Sequence, residues 1–242
     1  MKTKMNVKRL LAVSLAAMMT ATAFAGCGNS GGSSSDSKAD SASTGTPMTN
    51  EEIIKKAAAE GKIGNWGLGN EYEILALLQK YDLPTTYLSQ DFTMDGFDQD
   101  DITLASAMSF NELGLVINDY DGGYKYCDTV GTIDMNDEGV AMLEDNIFCT
   151  KEFAKNNPNT VKAFVYASMK GWKYAVENPE EAAQIVFDAG SSVSSDHQLY
   201  MAQQVAKLVS TDTKGNAVSD YGNMDEEAMQ QTLDLCKKYV PV

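Results

Sequence analysis

Short strand patterns that alternate with helical patterns constrain this fold more than any other feature of the sequence. The composition predicts strands at Lys62 to Trp66, Thr85 to Leu88 and Thr103 to Ala107. Glu71 to Tyr81 has helical spacing, and its inner face is predicted to carry Ile74, Leu75, Leu77 and Leu78. Parallel strands need a long crossover, which a helix supplies. The sequence therefore predicts an α/β fold with a parallel sheet.

Further elements flank this alternation. Thr49 to Glu52 has the residues of a capped helix start, and that helix is predicted to run to Gly61. Another helix is predicted at Phe110 to Asn118. After a turn predicted at Asp121 to Gly123, Lys125 to Val130 has the composition of a strand.

The chain from Lys151 onward is predicted to be almost wholly helical. Asn157-Pro158 begins a helix whose three-four spacing predicts one buried face, made of Val161, Phe164, Val165, Ser168, Trp172 and Ala175. Asn178 is predicted to cap the next helix, because Pro179 fits a first turn. Two more helices are predicted at Ser195 to Val209 and Met224 to Tyr239.

The first 27 residues have the pattern of an export signal. Four basic residues precede the apolar run Leu10 to Phe24, which is shorter than a membrane span, and Ala25-Gly26-Cys27 follows. This pattern resembles the lipobox of bacterial lipoproteins, although Phe24 stands where that family usually has Leu. The resemblance implies a signal peptide at residues 1–26 and a lipid on Cys27 that holds the protein at the extracytoplasmic face of the cell membrane. An ordinary cleaved signal is the alternative.

The residues after Cys27 predict a tether. Gly28 to Gly45 contains no aromatic or large aliphatic residue and cannot form a core. We therefore assign residues 27–47 to the anchor and tether and residues 48–242 to the folded part, with room for one large domain or two small lobes. Cys127, Cys149 and Cys236 are odd in number and lack metal-site spacing, so neither a disulfide framework nor a metal is expected.

Charge narrows the possible partners. The chain has 19 basic and 34 acidic residues, a net charge of -15. The signal holds four basic residues and no acidic one, so its removal leaves 15 basic and 34 acidic residues, a net charge of -19. Such a chain is unsuited to nucleic acid. Arg9 is the one arginine, and the lack of a guanidinium fork favours a neutral or cationic ligand, unless the acidity serves only solubility.

The turn after the first predicted strand is the leading candidate for a binding site. Its glycines allow close approach of the backbone to a ligand, the helix start offers N–H donors, and the side chains offer carboxylates and an aromatic face. The alternative is a plain connection capped by Asn70, with the tryptophan in the core. The candidate residues are Trp66, Gly67, Gly69, Asn70, Glu71, Tyr72 and Glu73.

Asn111 and Glu112 form a second candidate for ligand contact. They follow the strand predicted at Thr103 to Ala107, so they are expected at the carboxyl edge of the sheet, where ligands of open α/β folds bind. Glu112 could accept a hydrogen bond from a ligand amine. The equally weighted alternative is that its charge serves the first turn of a helix.

Two other patterns are weaker indications of a functional site, a calcium loop and a single histidine. Residues 134–145 place Asp134, Asn136, Glu138, Gly139 and Asp145 as in a calcium-binding EF-hand loop, but the preceding segment predicts a strand and the last position holds a short Asp. His197 is the single histidine, and without a nucleophile or paired metal ligands it is predicted to lie on the surface.

Several segments together resemble the solute-binding lipoproteins of ABC importers in the thiamine-biosynthesis-like (SsuA-like) family. These are KIGNWGLGNEYEILALL, LASAMSFNELGLV, the strand-like EDNIFCT and the run NPNTVKAFVYASMKGWKYAVENPEEAAQIV. The resemblance implies a type II periplasmic-binding fold, in which two α/β lobes close on a ligand. In that family a substantial part of the first lobe precedes the KIGNW-like strand. Here the predicted tether leads almost directly into Met48, so the first lobe is expected to be incomplete.

The resemblance implies a receptor that passes a small solute to ABC permease subunits. A thiamine pyrimidine precursor or a similar heteroaromatic is the expected solute, without an enzymatic reaction or cofactor, and the protein is expected to be a monomer. Riboflavin, sulfonate, taurine or nitrate binding is the alternative within this fold. A nonfunctional remnant with an incomplete cleft is the second class of function. A pyrimidine synthase is disfavoured, because no iron site rich in histidine and cysteine is visible.

Overall fold

The computed structural model describes residues 47–120, 126–127 and 129–240. The predicted signal, Cys27, the tether and the turn at Asp121 to Gly123 lie outside the described residues. The strands are β1 (Ile63–Asn65), β2 (Leu88–Ser89) and β3 (Leu104–Ala105). The helices are α1 (Asn50–Ala59), α2 (Tyr72–Lys80), α3 (Asp95–Asp98), α4 (Glu112–Ile117), α5 (Lys151–Asn156), α6 (Pro158–Glu177), α7 (Pro179–Asp188), α8 (Ser195–Val209) and α9 (Glu226–Tyr239).

The strands form a small parallel sheet in the order β2-β1-β3. Gly64 pairs with Leu88 of β2 and with Ala105 of β3. The predicted parallel α/β arrangement is therefore confirmed for this sheet, although each strand is shorter than its prediction. Only β1 is buried along its whole length, because it has a strand on both sides.

One apolar core surrounds the sheet. Helices α1 and α2 contribute Ile54, Leu77 and Leu78, which are all fully buried, and the core extends to Val140. The predicted inner face of α2 is confirmed except at Leu75, which is half-buried, while the neighbouring Ala76 is fully buried. Helix α9 packs against α2 and brings the C-terminal end of the described chain to this core.

We expect Gly64→Ala to lower the free energy of unfolding by about 1 to 3 kcal/mol, because β1 has no room for a side chain there. A Cβ at Gly64 would lie 2.6 Å from Ile102 Cδ1 and 2.8 Å from Gln90 Oε1. Urea unfolding followed by circular dichroism measures the loss. Gly171→Ala on α6 is the control, since a Cβ there meets nothing within 4 Å and should stabilise the helix slightly. Equal stabilities for the two variants would contradict the prediction.

Three predicted helix starts are confirmed by their caps. Thr49 and Glu52 form a reciprocal capping box on α1. Ser194 Oγ accepts from His197 N at 3.2 Å, and Asp225 Oδ1 accepts from Glu227 N at 2.9 Å. Each cap involves residues at most three positions apart, so sequence alone was sufficient to locate it.

Asn178 occupies the N-cap position of α7 as predicted, but the expected capping bond from its side chain is absent. Its side chain makes no capping bond to α7, and its Nδ2 instead donates to Tyr174 O at 2.9 Å, at the end of α6. Asn157 behaves in the same way, with Nδ2 donating to Phe153 O at 3.2 Å. At both Asn-Pro junctions the side chain therefore satisfies the carbonyl of the helix that ends rather than an N–H of the helix that begins.

Two predicted strands are wrong for the residues that the structure describes. In Lys125 to Val130, the N–H groups of Thr129 and Val130 both donate to Tyr126 O, at 2.8 and 2.9 Å, and form a turn. The segment EDNIFCT, residues 144–150, has no strand partner and is exposed throughout. Strand composition is present in both segments, but neither lies beside a sheet edge to which it could bond.

The predicted burial of one face of α6 is also wrong. None of its residues is buried, and Phe164 is 61% and Trp172 42% exposed. Helix α6 packs on α7 and α8, but these contacts leave Val161 and Ser168 only half-buried. The spacing was read correctly as helical, whereas the extent of burial depends on neighbours that the described chain does not place there.

Candidate functional site

A pocket of about 360 Å³ lies at the carboxyl ends of β1 and β3. Its wall combines the end of β1, the first turns of α2, the residues after β3 and the segment 130–135. Pockets for small ligands usually begin at about 300 Å³, so a single small ring compound fits this volume. The lining residues used below are Asn65, Trp66, Asn70, Glu73, Asp134, Met94, Phe97, Ser106, Met108 and Met135.

A network of buried polar groups holds the strand ends beneath the pocket. Asn65, which is 2% exposed, donates from Nδ2 to Ser106 Oγ at 2.9 Å and accepts from Gly67 N at 2.8 Å. Ser106 Oγ in turn donates to Gly64 O at 2.8 Å. Gln90 completes the network, since its amide makes bonds of 2.7 and 3.0 Å to the backbone of Ser106. The pocket floor is therefore rigid, because every bond fixes backbone at a strand end.

The turn Gly67 to Asn70 requires the backbone freedom predicted for its glycines. Gly67 has φ +71° and Gly69 has φ +97°, both in the region that favours glycine. Gly69 N donates to Glu71 Oε2 at 2.7 Å, so the Glu71 carboxylate is used within the turn. Asn70 does not cap α2, because the cap position belongs to Glu71 and no side chain bonds there. The turn thereby presents Asn70 and Glu73 to the pocket.

Trp66 lines the pocket directly after β1. Its Nε1 is buried and has no hydrogen-bond partner within the described part of the chain. A buried indole N–H without a partner is unusual, because indole nitrogens normally find an acceptor. The ring supplies a flat apolar wall on which an aromatic ligand can stack.

Glu73 is the half-buried carboxylate of the pocket wall. Its Oε1 accepts from Met142 N at 2.5 Å, which ties α2 to the segment after Val140. Burial raises the pKa of Glu73, the Met142 bond opposes that rise, and the negative charges of Glu144 and Asp134 add to it. Burial likewise raises the pKa of Glu144, whose Oε1 accepts from Asn70 Nδ2 at 3.3 Å. The rim is thus acidic, and the charges that act on Glu73 and Glu144 within the described residues are all negative.

The lining has a clear chemical preference. Among the described residues that line the pocket, none is Lys, Arg or His, while Glu73 and Asp134 are acidic. Most of the remaining wall is apolar, with Met94, Phe97 and Met135 contributing large side chains. A neutral or cationic ligand with a flat apolar body suits this environment, whereas an anion would meet two carboxylates and no cation.

The structure brings together three of the nine predicted ligand-binding residues in the pocket wall, Trp66, Asn70 and Glu73. Gly67, Gly69, Glu71 and Tyr72 belong to the adjoining turn and helix start but are not part of the wall. Asn111 and Glu112 also lie outside it. Direct ligand contact by these nine residues stays a prediction.

Glu112, the first residue of α4, binds the loop that precedes this helix. It is 4% exposed, and its carboxylate accepts from Met108 N at 2.9 Å and from Asn111 Nδ2 at 3.0 Å. Met108 lines the pocket, so Glu112 positions a wall residue through the backbone. Glu112 also lies in the first turn of α4, as the alternative prediction had it, and the tertiary structure decided what its carboxylate bonds.

The predicted surface position of His197 is wrong. Its side chain is fully buried, with Nε2 2.8 Å from Asn111 Oδ1 and Nδ1 3.3 Å from Tyr120 Oη. The ring also stacks on Tyr200, with centroids 5.9 Å apart. His197 therefore joins α8 to the loop that carries Asn111, and only long-range packing could reveal this role.

Other pocket residues were missed by the sequence reasoning. Asn65 and Ser106 lie within or directly after strands, and their position at strand ends was a usable signal. Asp134 and Met135 reach the pocket from a segment about 70 residues beyond Trp66 in sequence, and no local pattern indicates that contact.

In the described residues no group of three or more His, Cys, Asp or Glu could hold a metal ion. The helices described in the structure include none with the length and apolarity of a membrane span.

Comparison with known protein families identifies a match for part of the chain. A family model described as "NMT1/THI5 like" matches residues 62–182, which is half of the 242-residue chain. The match begins at β1 and continues into α7, so it includes all the pocket residues named above. No curated protein matches the chain.

Proposed function

This chain belongs to the NMT1/THI5-like family of solute-binding, periplasmic-binding-like proteins, and we propose that it is an extracytoplasmic solute-binding lipoprotein of an ABC importer. The proposal places the lipid on Cys27 and the folded part outside the cytoplasmic membrane. The protein acts as a monomeric receptor that delivers its solute to permease subunits and carries out no reaction. Two α/β lobes that close on the ligand belong to the same proposal.

The solute that we propose is a thiamine pyrimidine precursor or a similar small heteroaromatic. The observation that carries this choice is the lining, in which an indole wall and acidic side chains occur and no described residue is cationic. An aminopyrimidine can stack on Trp66 and donate from its amino group to Glu73. The same lining disfavours sulfonate, taurine and nitrate, since each carries an anionic group.

Titration of the protein with a panel of solutes tests the proposal. Calorimetry or thermal shift with aminopyrimidines, thiamine, riboflavin, taurine and nitrate should show binding in the aminopyrimidine group. Binding of taurine or nitrate alone would move the assignment to the anion-binding alternative. Absence of binding to every solute in the panel would favour the alternative that the protein is a nonfunctional remnant. The exposed face of α6 is the observation that supports this alternative.

We expect Trp66→Ala to weaken aminopyrimidine binding by about tenfold, because the variant loses the stacking wall. Trp172→Ala is the matched control, since Trp172 is the second tryptophan and lies on α6 outside the pocket wall. Isothermal titration of both variants with the same solute gives the comparison. A loss of affinity in the Trp172 variant equal to that in the Trp66 variant would show that binding does not use this pocket.

A further inference from the structure

Helices α5 and α6 form a basic stretch within the acidic chain that remains after removal of the predicted signal. Residues 151–177 contain five lysines and two glutamates, a net charge of +3, while the whole chain carries -15. These lysines do not line the pocket, because its wall contains no residue of α5 or α6. The proposed binding of a solute therefore leaves these lysines without an assigned role.

Three of these lysines share one face of α6 with an aromatic residue. Lys162, Tyr166, Lys170 and Lys173 follow one another at spacings of four, four and three, which places them on one side of a helix. We call these four residues the lysine stripe. All four are exposed, and Tyr166 is 71% exposed. Lys173 Nζ lies 3.8 Å from Glu177 Oε1, an exposed pair that adds little stability.

The lysine stripe lies on the side of α6 opposite the half-buried residues Val161, Ser168 and Ala175. Two further half-buried residues, Met169 and Val176, border the stripe, and Met169 packs against the loop at Gly222. The four residues of the stripe are themselves exposed, so a partner can reach them from solvent.

The chemistry of the stripe fits the anionic surface of a lipid bilayer. Lysine stems lie along apolar surface while their ammonium groups reach the headgroups, and tyrosine is favoured at the membrane–water interface. The acidic remainder of the chain is repelled by such a surface, so only the face with the stripe can approach it. A second copy fits less well, because a symmetric contact through this face would oppose lysine to lysine.

The lipid anchor on Cys27 would also keep the stripe close to the bilayer. This part of the argument rests on the proposed function, which includes that anchor. The 20 residues from Cys27 to Thr46 span at most about 70 Å when fully extended. Pro47, the first described residue, therefore stays within that distance of the membrane, and the effective concentration of bilayer surface near the stripe is high.

We propose that the lysine stripe of α6 docks the folded part on the anionic lipid surface of the membrane to which the protein is tethered. Docking through one face fixes the orientation of the protein relative to the bilayer. The pocket, built from β1, α2, β3 and the segment 130–135, lies on other elements and stays open to solute while the stripe is bound.

Vesicle co-sedimentation tests this proposal with the processed chain, residues 27–242, carrying Cys27→Ser so that no lipid is attached. This chain retains every described residue. The probes are vesicles of phosphatidylcholine alone and of an equal mixture of phosphatidylcholine and phosphatidylglycerol. Binding is expected for the anionic vesicles only and should weaken as salt is added.

The variants assign the binding to the stripe. Each lysine near an anionic surface contributes about fivefold, so Lys162→Gln, Lys170→Gln and Lys173→Gln together should weaken binding about a hundredfold. The same three positions changed to arginine should retain it. The control with an equal change of charge is Lys56→Gln, Lys207→Gln and Lys237→Gln, on α1, α8 and α9, and it should bind nearly as the parent does.

Several outcomes would overturn the proposal. These are equal binding to both kinds of vesicle, equal losses in the stripe and control variants, or no sedimentation with vesicles while the free chain forms dimers through α6. Circular dichroism confirms that the variants retain their helices. Because the assay contains neither solute nor lipid anchor, its result is independent of the solute titrations and of whether Cys27 is modified.

Discussion

Replacing Glu138 with alanine is expected to lower the free energy of unfolding by about 3 kcal/mol. The carboxylate is 9% exposed and accepts from Lys80 Nζ at 2.7 Å, Tyr81 Oη at 2.6 Å and Asn50 Nδ2 at 2.9 Å. It thereby fastens residues 134–140 to both α1 and α2, next to the pocket wall at Asp134. The variant removes the carboxylate that pairs with Lys80, whose Nζ keeps only its bond of 2.8 Å to the backbone carbonyl of residue 138, and it loosens the attachment of this segment.

Urea unfolding of Glu138→Ala and Glu51→Ala gives the comparison. Glu51 pairs with Lys55 on α1, but both side chains are 49% exposed, so its removal should cost no more than about 0.5 kcal/mol. Similar losses in the two variants would mean that the Glu138 contacts are no stronger than an exposed ion pair.

The same carboxylate predicts a dependence of stability on pH. The hydrogen bonds from Lys80 and then Tyr81 lower the pKa of Glu138 from 4.5 to about 2. A lowered pKa in the folded state stabilises the protein above pH 4.5, and this contribution is lost as the pH falls through about 2. The stability of the parent should therefore fall more steeply than that of Glu138→Gln over this interval. Parallel curves would contradict this assignment.

His197→Ala is expected to cost about 3 kcal/mol, because it empties a fully buried site and removes the partner of Asn111. The loss should be concentrated where α8 meets the Asn111 loop. Hydrogen exchange should then show weaker protection in Ser195–Val209 than in Asn50–Ala59.

Tyr200→Phe is the matched variant for His197→Ala. It keeps the ring that stacks on His197 and deletes the hydroxyl that donates to Ser109 O at 2.8 Å, so it should cost about 1 kcal/mol. Urea unfolding measures both variants. If His197→Ala costs no more than Tyr200→Phe, the histidine does not hold this junction.

Helix α8 shows how far local pattern predicts this fold. The predicted helix Ser195 to Val209 was confirmed at both ends, because Ser194 supplies a cap three residues from its partner. On that same helix the position of His197 was predicted wrongly, since its burial depends on Asn111 and Tyr120, 86 and 77 residues away. Local capping thus located the helix, and distant packing determined the environment of its side chains.

The pocket shows the same division. Trp66, Asn70 and Glu73 were predictable because they follow a strand whose end was recognisable, and the carboxyl edge of a parallel sheet is where polar groups meet a ligand. Asp134 and Met135 were not predictable, because they arrive from a segment without regular structure. The described part of the wall is acidic, which agrees with the negative net charge and the lack of arginine after Arg9 that composition alone indicates.

By itself the sequence determined most of the helices, the caps at Thr49, Ser194 and Asp225, and the acidic character of the molecule, because each depends on neighbours within a few residues or on composition. The alternation of strand and helix patterns also indicated a parallel sheet. Only the tertiary structure decided that β1 is the buried centre of a short sheet, that α6 is exposed and that His197 is enclosed. These outcomes depend on which surfaces meet across long separations in the chain, and burial is a property of the assembled contacts rather than of any single segment.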